Sequence, residues 1–137
     1  MYQSILIAAD GSDNSYRAAE ETLHFIGRDT EVTILNVVDP DDSKDEVLHS
    51  RPGEGSTFNR KAKLSKIIAL YDENEVPYKI EFQQGTPAET VVEFANAGRY
   101  DVVVLGSRGL NAFQEMMLGS VSHKVAKRAH MPVMIVK

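Results

Sequence analysis

The chain has 137 residues, of which 42% are hydrophobic, enough for one domain with a buried core and too few for two domains of ordinary size. Its formal net charge is −5, with acidic residues spread along the chain, which argues against binding to duplex nucleic acid, because phosphate neutralisation needs a dense basic surface. The absence of cysteine excludes disulfides, thiolate nucleophiles and cysteine-ligated metals.

The beginning of the chain, MYQSILIAADGS, has no basic residue ahead of its short apolar run, so it predicts a first strand and not a signal peptide. No apolar run approaches the length of a membrane span. We therefore expect a single cytoplasmic domain over residues 1–137, with neither nucleic acid nor a membrane as partner.

The first strand is predicted at Ile5 to Ala9, which is a short apolar run. Ala19, Leu23 and Ile26 then fall on one face of a first helix. A second apolar run, Val32 to Val38, predicts the second strand. Runs with so little polar alternation are typical of a parallel sheet that is covered on both faces.

A long surface loop is predicted at Asp39 to Thr57, because this stretch is rich in Asp, Ser, Gly and Pro and exceeds an ordinary strand-to-helix connection. Gly53 and Gly55 lie within it, but GEGSTF lacks the third glycine of a dinucleotide fingerprint and does not directly follow a strand. Its acidic residues are interpreted as a solvated surface, with assistance to a metal as the less favoured alternative.

Helix and strand signals resume after the loop. The second helix is predicted from an apolar stripe of Leu64, Ile67, Ile68 and Tyr71. Apolar and polar residues alternate in PYKIEFQQ, which predicts a third strand near a sheet edge. The sequence TPAE at residues 86–89 is typical of a capping box with proline at the first helical position. It predicts a third helix with a buried face of Ala88, Val91, Val92 and Ala95.

The remaining predicted elements are a fourth strand at Val102 to Leu105, a fourth helix that begins near Gly119, and a last strand at Val133 to Val136. Five strands and four helices therefore alternate along the chain. This pattern predicts a doubly wound α/β domain, an open five-stranded parallel sheet with helices on both faces.

Ligands of such folds bind beyond the carboxyl ends of the strands, where the winding direction reverses. If the first and fourth strands are neighbours, the loops that follow them line one crevice. Gly106 and Gly109 would allow close backbone approach, and residues 119–122 would supply a helix N-terminus that favours phosphate. Arg108 could neutralise phosphate charge, and Asp10 could accept a hydrogen bond from a ribose hydroxyl or an adenine amino group.

The same residues also allow a purely structural interpretation, which stays open at this point. In it, the two glycines form a tight turn, Ser120 caps the fourth helix and Asp10 caps the first.

The spacing of Gly106, Gly109 and the pair Gly119-Ser120 resembles the nucleotide-binding pattern of the universal stress protein family. The segment ILIAADGSDNS resembles the opening strand and loop of that family, and HMPVMIVK resembles its last strand. The resemblance covers essentially the whole chain, with Asp39 to Thr57 as the variable part. It implies an adenine nucleotide α-hydrolase-like sheet with strand order 3-2-1-4-5.

Family members with this glycine pattern bind ATP, usually with a divalent metal on the phosphates, so the resemblance implies ATP with Mg or Mn here. By position it implies that Ala9, Asp10 and Val37 hold the adenosine portion and that Leu105 and Gly106 back the ribose and phosphates. The residues implied around the phosphate chain are Arg108, Gly109, Gly119, Ser120, Val121 and Ser122. Relatives often pair the last strand with its own copy, which implies a homodimer through Val133, Met134, Ile135 and Val136.

The function implied by the resemblance is a nucleotide-dependent switch in a stress response or in signalling. A P-loop with its lysine is absent and no general base can be identified, so we assign no catalytic residue and expect at most slow ATP hydrolysis. Two alternatives remain. One is an ATP-using ligase or pyrophosphatase of the related fold, although its Ser-Gly-Gly-x-Asp-Ser loop reads DGSDNS here. The other is a structural dimer module that binds no nucleotide.

Overall fold

The computed structural model describes residues 2–38, 61–107 and 119–137. Strands and helices alternate within these ranges as the sequence predicts. The strands are β1 (Tyr2–Ala8), β2 (Ile26–Val38), β3 (Tyr78–Gln84), β4 (Val102–Gly106) and β5 (Val133–Val136). The helices are α1 (Asp13–Thr22), α2 (Ser65–Glu73), α3 (Pro87–Ala97) and α4 (Ser120–Arg128).

The five strands form one sheet in the order β3-β2-β1-β4-β5, and every neighbouring pair is parallel. The predicted strand order is therefore confirmed, and β1 and β4 are neighbours. Ala8, the last residue of β1, pairs with Leu35 of β2 on one side and with Leu105 of β4 on the other. The winding direction reverses at β1, so the carboxyl ends of β1 and β4 flank the expected crevice.

The sheet is apolar on both faces because helices cover both. Ile5 and Ile7 of β1 pack into a cluster with residues of α1 and α2, including Tyr71. Leu6 points to the other face and packs into a cluster with residues of α3 and α4, including Val125. This alternation explains why the inner strands are continuous apolar runs and not alternating ones.

The edge position predicted for PYKIEFQQ is confirmed, since β3 pairs only with β2 in the described residues. Tyr78, Ile80 and Phe82 pack against the cluster beneath α1 and α2. The alternate residues of β3 are polar, so the opposite face of this strand needs no covering helix.

The predicted first helix extends too far. α1 ends at Thr22, and Ile26 is the first residue of β2, where it pairs with Tyr2 of β1. Ile26 has helical spacing from Ala19, but the helix tightens before reaching it. Hydrogen bonds to carbonyls three residues earlier form this tight turn, and their donors are the N–H groups of Leu23, His24 and Phe25.

The capping box predicted at the start of α3 is only partly present. Thr86 is the N-cap and Pro87 occupies the first turn, but the Thr86 hydroxyl makes no capping hydrogen bond. The carboxylate of Glu89 lies 3.4 Å from the ammonium nitrogen of Lys124 on α4. A hydrogen bond from the Glu89 backbone and the charge of Lys124 lower the pKa of Glu89, outweighing its desolvation. An ion pair between helices therefore replaces the reciprocal cap.

Three sequence predictions fall on residues outside those described. They are the surface loop at Asp39 to Thr57 and the phosphate contacts of Arg108 and Gly109.

Candidate functional site

The chain leaves β1 through a short turn that its own side chains build. The N–H of Ala9 donates to the carbonyl of Leu35 at 2.9 Å, extending the β1–β2 pairing by one residue. The Asp10 carboxylate then accepts a hydrogen bond from the N–H of Ser12 at 2.9 Å. Gly11 between them has φ +87°, the left-handed region that glycine adopts without strain. The turn thus fixes the position of the Asp10 carboxylate at the end of β1.

Ser12, and not Asp10, caps α1. Its hydroxyl oxygen accepts a hydrogen bond from the N–H of Ser15 at 3.2 Å, and the Ser15 hydroxyl donates to the Ser12 carbonyl at 2.8 Å. The interpretation of Asp10 as the helix cap is therefore wrong. Its carboxylate stabilises the turn through Ser12.

β4 ends against the first turn of α1. A Cβ atom on Gly106 would lie 2.7 Å from the Asn14 Cβ atom and 2.8 Å from the Asn14 carbonyl carbon. Real Cβ atoms do not approach backbone this closely, so glycine is required by helix packing at this position. Close approach to a ligand is a second use of Gly106 that stays a prediction.

α4 begins directly beside the end of β4. The N–H of Gly119 donates to the carbonyl of Ser107 at 2.7 Å, and the N–H of Ser107 donates to the carbonyl of Val136 at 2.8 Å. The hydroxyl of Ser122 is buried and lies 3.0 Å from the carbonyl oxygens of both Ser107 and Gly119. These hydrogen bonds hold the N-terminus of α4 at the carboxyl edge of the sheet, next to the crevice.

Within residues 2–38, 61–107 and 119–137, no side chain caps the first turn of α4. Its N-cap is Gly119, which has no side chain to cap the helix, so the interpretation of Ser120 as the cap is wrong. The first intrahelical bond runs from the N–H of His123 to the carbonyl of Gly119. The N–H groups of Ser120, Val121 and Ser122 precede it and have no intrahelical acceptor.

Charge also distinguishes α4 from the other helix that starts at this crevice. The first turn of α4 contains no acidic residue, and Lys127 and Arg128 occupy its last turn. The first turn of α1 contains Asp13, and Ser12 already caps it. Of these two N-termini, that of α4 is therefore the one suited to an anion.

The remaining predicted residues divide between the two faces of the sheet. Val37 and Val121 are half-buried and pack against the cluster that contains Leu105, on the side of α3 and α4. Ala9 is 5% exposed and belongs to the cluster on the side of α1 and α2. Val37, Leu105 and Val121 therefore share one face of the sheet, and Ala9 lies on the opposite face.

Sequence reasoning missed Asn36, which is buried in β2. Its side-chain amide donates to the carbonyl of Ala9 at 2.8 Å. A polar residue within the apolar run ILNVV is the signal that could have found it, because a buried amide needs a hydrogen-bond partner.

Neither a metal site nor a membrane span was found in the described residues. Their His, Asp and Glu side chains form no group of three or more that could hold a metal ion. None of the helices in residues 2–38, 61–107 and 119–137 has the length and apolar character needed to cross a bilayer.

Comparisons with known proteins agree with this architecture. Universal stress protein MJ0531 of Methanocaldococcus jannaschii is 33% identical over all of this chain and 83% of its own length. The solved structure of hypothetical protein MJ0577 from the same organism has a TM-score of 0.84 and 29% identity, covering 100% of this chain and 96% of that one. A universal stress protein solved in complex with cAMP has a TM-score of 0.73 and 26% identity, covering 99% and 97% of the two chains.

The model of the universal stress protein family matches residues 1–137, the full length of the sequence. Together with the 33% identity to a curated member, this match shows that the chain belongs to the universal stress protein family.

Proposed function

We propose that this chain binds ATP, with Mg²⁺ or Mn²⁺ on the phosphates, and acts as a nucleotide-dependent switch in a stress response or in signalling. One observation carries the proposal. The turn containing Asp10 and the open first turn of α4 lie at the ends of the neighbouring strands β1 and β4. The carboxylate suits the hydroxyl groups of the nucleotide's sugar, and the row of N–H donors suits its phosphate chain.

The phosphate chain is assigned to α4. The N–H groups of Ser120 and Val121 can donate to phosphate oxygens, and the exposed Ser120 hydroxyl adds a further donor. Gly119 leaves room at the helix end. Arg108 and Gly109 complete this part of the proposal through the family resemblance. The Ser122 hydroxyl is already bonded to two carbonyls, so its proposed contribution is mainly to hold the helix end in place.

The adenosine portion is assigned to the ends of β1 and β2. Asp10 accepts a hydrogen bond from the ribose, and the backbone of Val37 contacts adenine. Leu105 and Gly106 back the ribose and phosphates, and Ala9 holds the adenosine portion together with Asp10. The universal stress protein solved with cAMP supports an adenine nucleotide as the ligand class, because it shares the fold over 99% of this chain.

The metal in this proposal is held mainly by the ATP phosphates, since the described residues offer no cluster of three ligands. When bound to the phosphates, the metal ion neutralises the part of their negative charge that the protein's N–H donors do not offset. No described side chain is assigned as a general base, so binding and switching are proposed as the function, with at most slow hydrolysis. The proposed setting is the cytoplasm, and the proposed assembly is a homodimer through β5.

The direct test is calorimetric titration of the protein with ATP and Mg²⁺, together with mass spectrometry of any nucleotide retained through purification. The matched variants are Gly119→Val and Ala126→Val. Both add a valine side chain to the same segment, the first at the N-cap and the second on the exposed face of α4. Gly119 has φ −65°, which valine tolerates, so no backbone strain is expected.

We expect Gly119→Val to abolish ATP binding and Ala126→Val to leave it unchanged, both with a native circular dichroism spectrum. Unchanged affinity in folded Gly119→Val would remove the assignment of phosphate to α4. A retained adenylated product would favour the ligase alternative. Neither retention nor binding of any adenine nucleotide would favour the structural dimer module.

A further inference from the structure

β2 is fastened to β1 at both ends by a side chain that donates to a backbone carbonyl. At the amino end of the pair, the hydroxyl of Thr30 donates to the carbonyl of Tyr2 at 2.7 Å. At the carboxyl end, the amide of Asn36 donates to the carbonyl of Ala9 at 2.8 Å. Thr30 is 2% exposed and Asn36 is 4% exposed. Both bonds join a side chain of β2 to a carbonyl at one end of β1, and only the second lies at the proposed nucleotide site.

The hydrogen bond of Asn36 falls where the regular pairing of β1 and β2 stops. The N–H of Ala9 still pairs with the carbonyl of Leu35, but the chain then turns away through Asp10 and Gly11. A buried carbonyl without a donor is costly, so Asn36 replaces the strand partner that Ala9 lacks. Without this donor, the carbonyl of Ala9 would gain by rotating toward water.

Rotation of that carbonyl would move Asp10. The carbonyl of Ala9 and the N–H of Asp10 belong to one planar peptide unit, so fixing the first fixes the second. The Asp10 carboxylate is in turn held by the N–H of Ser12. Val37, the residue proposed to contact adenine, follows Asn36 directly in β2. Asn36 therefore links the strand position of the adenine contact to the position of the Asp10 carboxylate.

Asn36 acts from behind the site. Along β2 it alternates with Leu35 and Val37, which face the side of α3 and α4. Ile34 lies on the opposite face, in the cluster beneath α1 and α2, and Asn36 shares that face. The side chain is therefore in place to hold the peptide that carries Asp10 and not to contact the nucleotide.

We propose that Asn36 is a positioning residue that sets the distance between Asp10 and Val37 and thereby gives the site its selectivity for ribose over deoxyribose. This inference rests on the proposed binding of ATP. A carboxylate that accepts a hydrogen bond from a ribose hydroxyl discriminates against deoxyribose, which lacks that hydroxyl. It does so only while the carboxylate oxygen is held at hydrogen-bond distance from the sugar.

The test compares Asn36→Leu with Thr30→Val in the full chain. Each substitution removes one buried donor between β1 and β2 and keeps similar size. Thr30→Val also removes the acceptor of the Gly27 N–H, so it controls for a loss of stability at least as large. The dissociation constants of ATP and 2′-deoxyATP are measured for both variants and the wild type. We expect Asn36→Leu to raise the dissociation constant of ATP about tenfold, equivalent to about 1.4 kcal/mol, and to leave that of 2′-deoxyATP nearly unchanged. Thr30→Val should change neither constant by more than about twofold, because the two ends of β2 are independent.

The double variant Asn36→Leu with Asp10→Ala tests whether Asn36 acts through Asp10. Its ratio of the two dissociation constants should equal that of Asp10→Ala alone, because a misplaced carboxylate and a missing one give the same loss of selectivity. If Asn36→Leu fails to fold, Asn36→Val removes the same N–H donor with a smaller side chain that suits a strand and buries no charge, and it is expected to lose the selectivity in the same way.

The outcomes separate this inference from the function on which it rests. A wild-type protein that binds no adenine nucleotide overturns both. A wild-type protein that binds ATP, with a folded Asn36→Leu variant that keeps the preference for ATP, overturns the role of Asn36 alone. Equal wild-type affinity for the two nucleotides, or an equal effect of Thr30→Val, overturns it as well.

Discussion

Gly106 at the end of β4 lies against the backbone of Asn14 in the first turn of α1, so closely that a Cβ atom would approach the Asn14 carbonyl oxygen to 2.9 Å. The residue that the nucleotide-binding pattern singles out is thus also a packing requirement of the fold. The same contact holds the first turn of α1 at the crevice.

Replacing Gly106 with alanine should destabilise the protein in the absence of any ligand. The added methyl group meets backbone atoms of Asn14, which cannot yield without shifting α1, and overpacking of this kind costs about 1–3 kcal/mol. Urea unfolding followed by circular dichroism measures the change. Ala126→Ser, an exposed change on α4, is the control and should cost only the helix propensity of about 0.5 kcal/mol. An unaltered midpoint for Gly106→Ala would contradict the packing explanation.

The two serines of the α4 first turn should differ in what they support. Ser120 is exposed, so Ser120→Ala should weaken ATP binding several-fold and leave the free energy of unfolding unchanged. Ser122 is buried and hydrogen-bonded to the carbonyls of Ser107 and Gly119, so Ser122→Ala should lower the free energy of unfolding by about 1–2 kcal/mol. Calorimetry and urea unfolding of both variants separate the two effects. A loss of stability in Ser120→Ala and a loss of ATP affinity in Ser122→Ala would show that Ser120 is the structural residue and Ser122 the ligand contact.

The sequence predicts the strands better than the polar contacts between them. Inner strands such as β4 are apolar along their whole length, because helices cover both faces of the sheet. Such a continuous apolar run in the sequence predicts a buried parallel strand. The first residues of β2 were missed because Gly27, Arg28 and Asp29 are typical of a turn. Their strand conformation depends on Thr30, which accepts from the N–H of Gly27 and donates to β1.

The candidate site was predictable in outline and not in its supporting contacts. Glycine spacing and the aspartate after β1 are local features, and the sequence displays them directly. The donation of Asn36 to Ala9 joins residues 27 positions apart, and the clash that excludes a side chain at Gly106 comes from α1. Such contacts can be identified only once the strand order is known, which explains why sequence reasoning assigned Gly106 to a ligand or to a tight turn and not to packing against α1.

Stability should fall at high pH because of Tyr71. Burial raises the pKa of Tyr71 to about 12, and the hydrogen bond with the Thr22 hydroxyl at 2.8 Å acts in the opposite direction. The folded-state pKa lies above the unfolded value of 10.0. The contribution of protonated Tyr71 to the free energy of unfolding is therefore complete below pH 10 and is lost as the pH rises through about 12. The loss amounts to about 3 kcal/mol.

Tyr71→Phe is the matched comparison for this titration. It removes the ionisable group and keeps the ring that fills the cluster beneath α1 and α2. Thermal unfolding from pH 9 to 12 should show a shallower decline in the variant than in the wild type, although the variant starts lower because it lacks the hydrogen bond to Thr22. If the unfolding temperatures of the two proteins fall in parallel as the pH rises, Tyr71 does not contribute to the loss of stability.

Turnover of ATP should be slow. No general base is assigned at the site, so hydrolysis should fall far below the roughly 10 per second of a median enzyme. Release of phosphate from ATP and Mg²⁺ is the measurement, and Asp10→Asn is the informative variant because it keeps the size of the side chain. Hydrolysis at ordinary enzyme rates that Asp10→Asn removes would make Asp10 catalytic and replace the switch with an enzyme.

The last prediction is a homodimer through β5, which forms one edge of the sheet. All four of its residues are apolar and only partly buried, whereas the opposite edge strand, β3, alternates apolar with polar residues. In the part of the chain that the structure describes, β5 pairs with β4 alone. An apolar edge of this kind invites pairing with another chain, and a two-fold contact between copies of β5 would satisfy its outer backbone groups and bury the side chains together. Light scattering coupled to size exclusion should therefore give about twice the mass of 15.2 kDa.

Ile135→Lys should shift the dimer toward monomer, because it places a charge within the contact and leaves it without a partner after burial. Gln83→Lys introduces the same side chain on the other edge strand, at a polar position of β3, and should leave the dimer intact. Circular dichroism of both variants checks that the sheet has formed, since Ile135 also packs against the cluster beneath α3 and α4. A wild-type protein that is monomeric at tens of micromolar, or a dimer that Ile135→Lys does not weaken, would exclude β5 as the interface. Dissociation by Gln83→Lys alone would place the interface at β3.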